Sequence, residues 1–123
     1  MSNVSHAATV FPVANVRESI DYYRDVLGFE INFEWEDPVT YAVLKKGEGV
    51  SIHFVQQADD FKPSKEHTAV YIFCHDVDAV YEECKKNGAN ITTDIGDRDY
   101  GMRDFDITDP NGYRISYSMG LDH

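Results

Sequence analysis

The chain has 123 residues, and its 22 acids against 11 bases leave a net charge of −11. That balance argues against nucleic acid as a partner, because phosphates would be repelled, and no run approaches the roughly 20 apolar residues that a membrane span needs. The length points to one domain, residues 1–123, with a real core, since 42% of residues are apolar and 13% aromatic.

Residues 1–7 read as a tail. They have neither a basic end nor an apolar stretch of signal-peptide type, so a cytoplasmic protein is expected. Cys74 and Cys84 are too few for a disulfide framework and read as small buried apolar residues. Residues 8–13 read as a first strand, with Pro12 ending it or marking an edge. Asn15 can cap a helix, with Glu18 three residues on as the reciprocal partner of a capping box. Ile20, Tyr23 and Leu27 recur at helical spacing and Gly28 supplies a left-handed C′ residue, so the spacing predicts a helix over 16–27. Residues 30–35 alternate as a strand, with Ile31, Phe33 and Trp35 on one face. Strands follow at 40–44 and 50–56, joined by a turn at 45–49. Residues 57–67 are polar, hold Pro63, and read as a linker.

The order then repeats. Residues 68–74 read as a strand. Asp76 caps a helix whose Val77, Val80, Tyr81 and Cys84 fall at i, i+3, i+4 and i+7, and Asn87-Gly88 ends it. Residues 90–94 read as a strand and 95–102 as a loop. A hairpin closes the chain: Phe105 and Ile107 alternate with polar residues. Asp109-Pro110-Asn111-Gly112 turns, because Pro110 sets its own φ while Asn111 and Gly112 tolerate left-handed conformations. Tyr113, Ile115 and Tyr117 then alternate with Arg114, Ser116 and Ser118.

Matching positions recur at a nearly constant spacing: Ala8 with Ala69 and Val16 with Val77 at 61 residues, Gly28 with Gly88 at 60, Gly49 with Gly112 at 63. Two βαβββ modules, about 8–57 and about 67–119, therefore follow each other in an α+β chain. One helix covers only one face of each sheet, so the other face must curl around something or meet a twin.

This tandem plan, the helix sequence VANVRESIDYYRDVLGF and the closing FDITDPNGYRISY resemble the vicinal oxygen chelate superfamily of glyoxalases, extradiol dioxygenases and bleomycin resistance proteins. The resemblance covers almost the whole chain. It implies curved mixed sheets, a homodimer with two equivalent clefts, and four site positions on the concave faces. By the repeat these are Ala8, His53, Ala69 and Ser116. Metal-using members place His or Glu there. Two Ala, one Ser and one His do not make a zinc or iron site, so no cofactor and no metal are expected. A shifted site built on His53 and His67, with His6 at the same strand parity, is the alternative, and would make the protein a lyase, isomerase or dioxygenase of glyoxalase type. Adjacent Cys74 and His75 point to opposite strand faces, Ser51 and His53 lack a third group, and residues 97–101 lack the glycine position and closing Glu of a calcium loop.

What remains suits binding. Tyr71 and Phe73 share the face of Ala69, Trp35 can join them, and Tyr100 and Met102 lie in the loop before the hairpin. With His53, Arg114 and Ser116 these are the candidate ligand-binding residues. Asp94, Asp97, Asp99, Asp104, Asp106 and Asp109 against Arg98 and Arg103 leave −4 in that stretch, and Glu30, Glu34, Glu36 and Asp37 form a second acidic patch. The bland reading makes about half of these acids plain solvated residues. The sharp one is a small-molecule ligand, cationic or aromatic, sequestered in an acidic, aromatic cleft of bleomycin-resistance type.

Overall fold

The computed structural model describes residues 3–121, so the first two residues of the expected tail lie outside it. The chain falls into two units that meet between Lys62 and Pro63, inside the linker read from the sequence. In the first, β1 (Thr9–Val13), α1 (Val16–Asp25), β2 (Glu30–Trp35), β3 (Tyr41–Lys46) and β4 (Val50–Gln56) make a four-stranded sheet of order β1-β4-β3-β2. In the second, β5 (Val70–Phe73), α2 (Val77–Lys86), β6 (Ile91–Asp97), β7 (Met102–Thr108) and β8 (Arg114–Gly120) repeat it in the order β5-β8-β7-β6. The first strand of each unit runs parallel to the fourth and the remaining neighbours are antiparallel. This is the expected α+β pair of βαβββ modules with mixed sheets.

Strand alternation decides what each face carries. Phe11, Val13, Ala42, Leu44, Ile52 and Phe54 are buried against α1, whose Ile20 and Tyr23 are fully buried. Tyr23 meets Phe54 edge to face at 4.9 Å and Phe29 at 5.5 Å. Burying each such side chain stabilises by about 1.5–3 kcal/mol. In the second unit Ile72, Phe105, Ile107, Ile115 and Tyr117 are the buried set. Tyr81 of α2 packs edge-on against Phe105, and Phe105 stacks on Tyr117.

Helix ends follow the caps. The Asn15 and Asp76 side chains accept from Glu18 N and Ala79 N. The reciprocal half of the capping box is not made: Glu18 shows no bond back to Asn15. α1 stops at Asp25, two residues short of the expected end, because Gly28 at φ 76° lets Phe29 N bond back to Tyr23 O. Within 95–102 only residues 98–101 form a loop. β6 runs on to Asp97 and β7 starts at Met102, leaving a tight connection in which Arg98 N bonds Met102 O and Gly101 takes φ 85°. Register shifts between Ile91 and Gly96 break the alternation that would have revealed the strand. A similar shift after Ile31 pairs Ile31 with Leu44 but Phe33 with Val43.

The closing turn is held by one side chain. Asp109 Oδ1 accepts from the backbone N–H of Asn111, Gly112 and Tyr113. Gly112 sits at φ 106°, and a Cβ there would lie 3.3 Å from Lys65 Cε. This turn aims β8 back along β7 and so sets which of its residues leave the core.

Candidate functional site

Each sheet has a face away from its helix, and the functional candidates sort onto these faces. In the second unit Asp104, Asp106, Tyr71, Ser116 and Ser118 lie opposite the α2 side, in register rows Tyr71–Ser116–Asp106 and Phe73–Ser118–Asp104. Asp104 is the hub. It is only 4% exposed, yet its carboxylate gathers three donors. Arg98 Nε reaches Oδ1 at 2.7 Å, while the hydroxyls of Tyr100 and Tyr71 reach Oδ2 at 2.7 and 3.1 Å. Burial alone would raise its pKa, but the bonds from Arg98, Tyr100 and Tyr71 outweigh that and hold it below the usual carboxylate range. The same bond to Asp104, with burial second, pushes the Tyr100 hydroxyl up to about 12. Tyr100 therefore has a fixed hydroxyl and an exposed ring, 66% accessible, and Phe73 is 72% accessible with its ring edge-on to Tyr71 at 5.4 Å. Ser116 is buried, donates to Asp106 Oδ1 at 2.5 Å and meets Thr68 Oγ1 at 3.2 Å. Met102, half-buried, opens β7 rather than lying in a loop.

In the first unit the open face carries Val10, Phe33, Trp35, Tyr41, Val43 and His53. Trp35 ends β2 and is 56% exposed, its ring stacked on Phe33 at 6.2 Å. His53 is half-buried, paired in register with Val10 and Val43, and its Nδ1 meets the Tyr41 hydroxyl at 2.7 Å. A separate cleft of about 390 Å³, lined by Asn15, Arg17, Pro38 and Asp59 among others, lies at the start of α1, and Gln56 at its edge already bonds Val16 N.

The sequence reading takes Trp35, His53, Tyr71, Phe73, Tyr100, Met102, Arg114 and Ser116 as one set; the strand registers put Tyr71, Phe73, Arg114 and Ser116 on the open face of the second sheet and Trp35 and His53 on that of the first. It missed Asp104 as an anchor and Arg98, Asp106 and Tyr41 as neighbours, while Phe33 already read onto the face of Trp35. Period-two spacing around Phe105 would have found both acids; Arg98 was hidden by the loop reading.

The acids have more partners than expected. Asp97 and Asp78 hold Arg103, Asp94 takes the Tyr81 hydroxyl, Asp109 is folded into its turn and Glu34 holds Arg17. Both acidic patches are therefore partly structural.

The four superfamily donor positions do not fit a metal. Ala8 and Ala69 supply no donor, Ser116 is committed to Asp106, and His53 to Tyr41. Among the described residues no group of three His, Cys, Asp or Glu side chains is placed to hold an ion. His6 and His67 precede β1 and β5 in irregular backbone, so strand parity does not carry them onto the sheet faces. No helix among the described residues is long and apolar enough to cross a membrane.

With this geometry in hand, comparison assigns the class. The model of the Glyoxalase/Bleomycin resistance protein/Dioxygenase superfamily matches residues 4–117, and the chain belongs to that superfamily. It is 30% identical to the metallothiol transferase FosB of Staphylococcus haemolyticus over 89% of this chain and 79% of the transferase. It is 29% identical to the lactoylglutathione lyase of Haemophilus influenzae over 89% of this chain and 87% of the lyase. The bleomycin-binding protein of Streptomyces verticillus, solved with copper(II)-bleomycin, shares the fold at TM-score 0.73 and 22% identity, covering 98% of this chain and 99% of that one.

Asp104 makes a pH prediction. Its folded pKa is depressed, so it contributes stability above the ordinary carboxylate range and loses it as pH falls through the folded value. Asp104→Asn should cost about 2 kcal/mol at neutral pH. In denaturant melts that gap should shrink below about pH 4. A gap independent of pH would contradict the buried ion pair.

Proposed function

We propose that the protein is a metal-independent small-molecule binding protein of the bleomycin-resistance type, holding an aromatic ligand on the open sheet faces. The observation that carries this is the set of exposed rings, Trp35, Phe73 and Tyr100, held in place by Phe33, Tyr71 and Asp104. Flat rings of fixed orientation stack on planar groups at little entropic cost. The solved relative that binds bleomycin supports the reading, as do the two alanines at donor positions. A cationic ligand remains part of the proposal, but ring contact rather than charge is its main term, because so many of the acids hold arginines or turns.

A homodimer completes the proposal. Val10, Phe33 and Trp35 leave apolar surface on the first sheet and Phe73 on the second, and large exposed apolar patches are normally covered. In this reading the ligand cleft is formed at that dimer interface.

The second reading is a metal-dependent lyase, isomerase or dioxygenase of glyoxalase type, favoured by the kinship with FosB and the lactoylglutathione lyase. It requires donors other than Ala8 and Ala69, with His53 and His67 as the candidates.

Calorimetric titration with bleomycin and with naphthalene-2-carboxamide should give saturable heats, and Phe73→Ala should weaken binding about two- to thirtyfold. No heat with either compound would end the binding reading. Elemental analysis of protein purified without chelators should show well under one zinc, nickel or iron per chain. A tightly held ion lost in His53→Ala would instead establish the enzymatic reading. Light scattering should give a mass twice the 14.0 kDa chain, and a soluble monomer would contradict the covered-face model.

A further inference from the structure

The arginines of this chain are almost all engaged. Arg17 pairs with Glu34, Arg24 with Asp21 and Asp25, Arg98 with Asp104, and Arg103 with Asp78 and Asp97. Arg114 is the exception. Its side chain has no hydrogen-bond or ion-pair partner among the described residues, and its Nε is buried. In a chain with 22 acids, a half-buried guanidinium without a carboxylate is not chance solvation. A buried charged donor left unpaired is costly, and native structures rarely leave one so.

Its position is specific. β8 pairs with β7 without a register break, so Arg114 shares the open face with Ser116 and Ser118, away from Ile115 and Tyr117. Thr108 lies opposite it on β7, and Ala69 N bonds its carbonyl on the other side. Ala69 leaves room where a longer side chain would fill the face. The nearest acid in the register is Asp106, one row on, and its Oδ1 takes the Ser116 hydroxyl. Tyr71 stands on that next row, about 7 Å along the strand from the Arg114 row.

We propose that Arg114 anchors the carboxylate of a planar aromatic acid whose ring lies against Tyr71. The guanidinium presents a fork of donors that matches a carboxylate in two parallel bonds, and a two-ring aryl acid spans the gap from that fork to the Tyr71 row. The inference rests on the binding reading above and adds the ligand's charge at this point, which is negative.

The test compares naphthalene-2-carboxylate with naphthalene-2-carboxamide, which keeps the ring and removes the charge. Calorimetry should show the acid binding about ten- to a hundredfold more tightly than the amide. The acid should also shift the Arg114 Nε–H signal in a ¹⁵N spectrum. Arg114→Gln should abolish the preference by weakening the acid far more than the amide, and Arg114→Lys should keep part of it. The wild-type comparison stands even if a variant fails to fold. Equal affinity for acid and amide overturns the inference and leaves aromatic binding intact. Binding of neither compound overturns both.

Discussion

The constraint on which the rest depends is one helix per four-stranded sheet. α1 and α2 are ten residues each, about 15 Å long, and each covers one side of its sheet. Strand alternation then sends half of every strand to the covered side and half to the other. On the covered side the strand residues are Ile, Leu, Val and Phe, plus Ala42 and Tyr117. On the other they are Tyr71, Phe73, Trp35, His53, Arg114, Ser116, Asp104 and Asp106. That second set makes a poor core and a good binding surface. A single one-residue slip in β8 would exchange Ile115 for Ser116 and destroy both, so the Asp109 turn is as much a part of the site as any residue on it.

The second set is not left loose. Asp104 ties Arg98, Tyr71 and Tyr100 to one buried carboxylate. A buried charge with three donors fixes geometry more than it adds stability, and here what it fixes is the ring orientation of two exposed tyrosines. Asp106 does the same for Ser116. Against this background of satisfied groups Arg114 stands out, since its neighbours on the face are already bonded to one another.

Most of the fold was legible because it is written in two periods. The helices announce themselves through Ile20, Tyr23 and Val77, Cys84 with Asn15 and Asp76 as caps, and the repeat of Ala8 as Ala69 and Gly49 as Gly112 exposes the module. What failed is equally physical. β6 extends to Asp97 through shifts that erase the alternation, so residues 95–102 read as a loop and Arg98 lost its context. His6 and His67 were carried onto the sheets by parity, but the strands begin after them. Acidic charge was visible in the sequence, whereas its neutralisation by Arg98, Arg103 and Arg17 depends on pairings across elements that local pattern does not encode. Site residues emerged where they sit on regular strands, as Tyr71 and Ser116 do. Asp104 stayed hidden because Arg98 and Tyr100 lie in the stretch that reads as a loop and Tyr71 is 33 residues away.

The chain is related to a metallothiol transferase and a lactoylglutathione lyase, yet carries Ala8 and Ala69 at two of the four positions that the superfamily resemblance marks for donors. The central claim is that the chain has kept the faces and uses their rings instead. Intermolecular nuclear Overhauser effects from bound naphthalene-2-carboxamide test it most directly. The account predicts contacts to the open-face rings, Tyr71 and Phe73 or Phe33 and Trp35, and none to Phe54 or Phe105 on the covered faces. Contacts confined to the cleft beside Asn15 and Pro38 would contradict it.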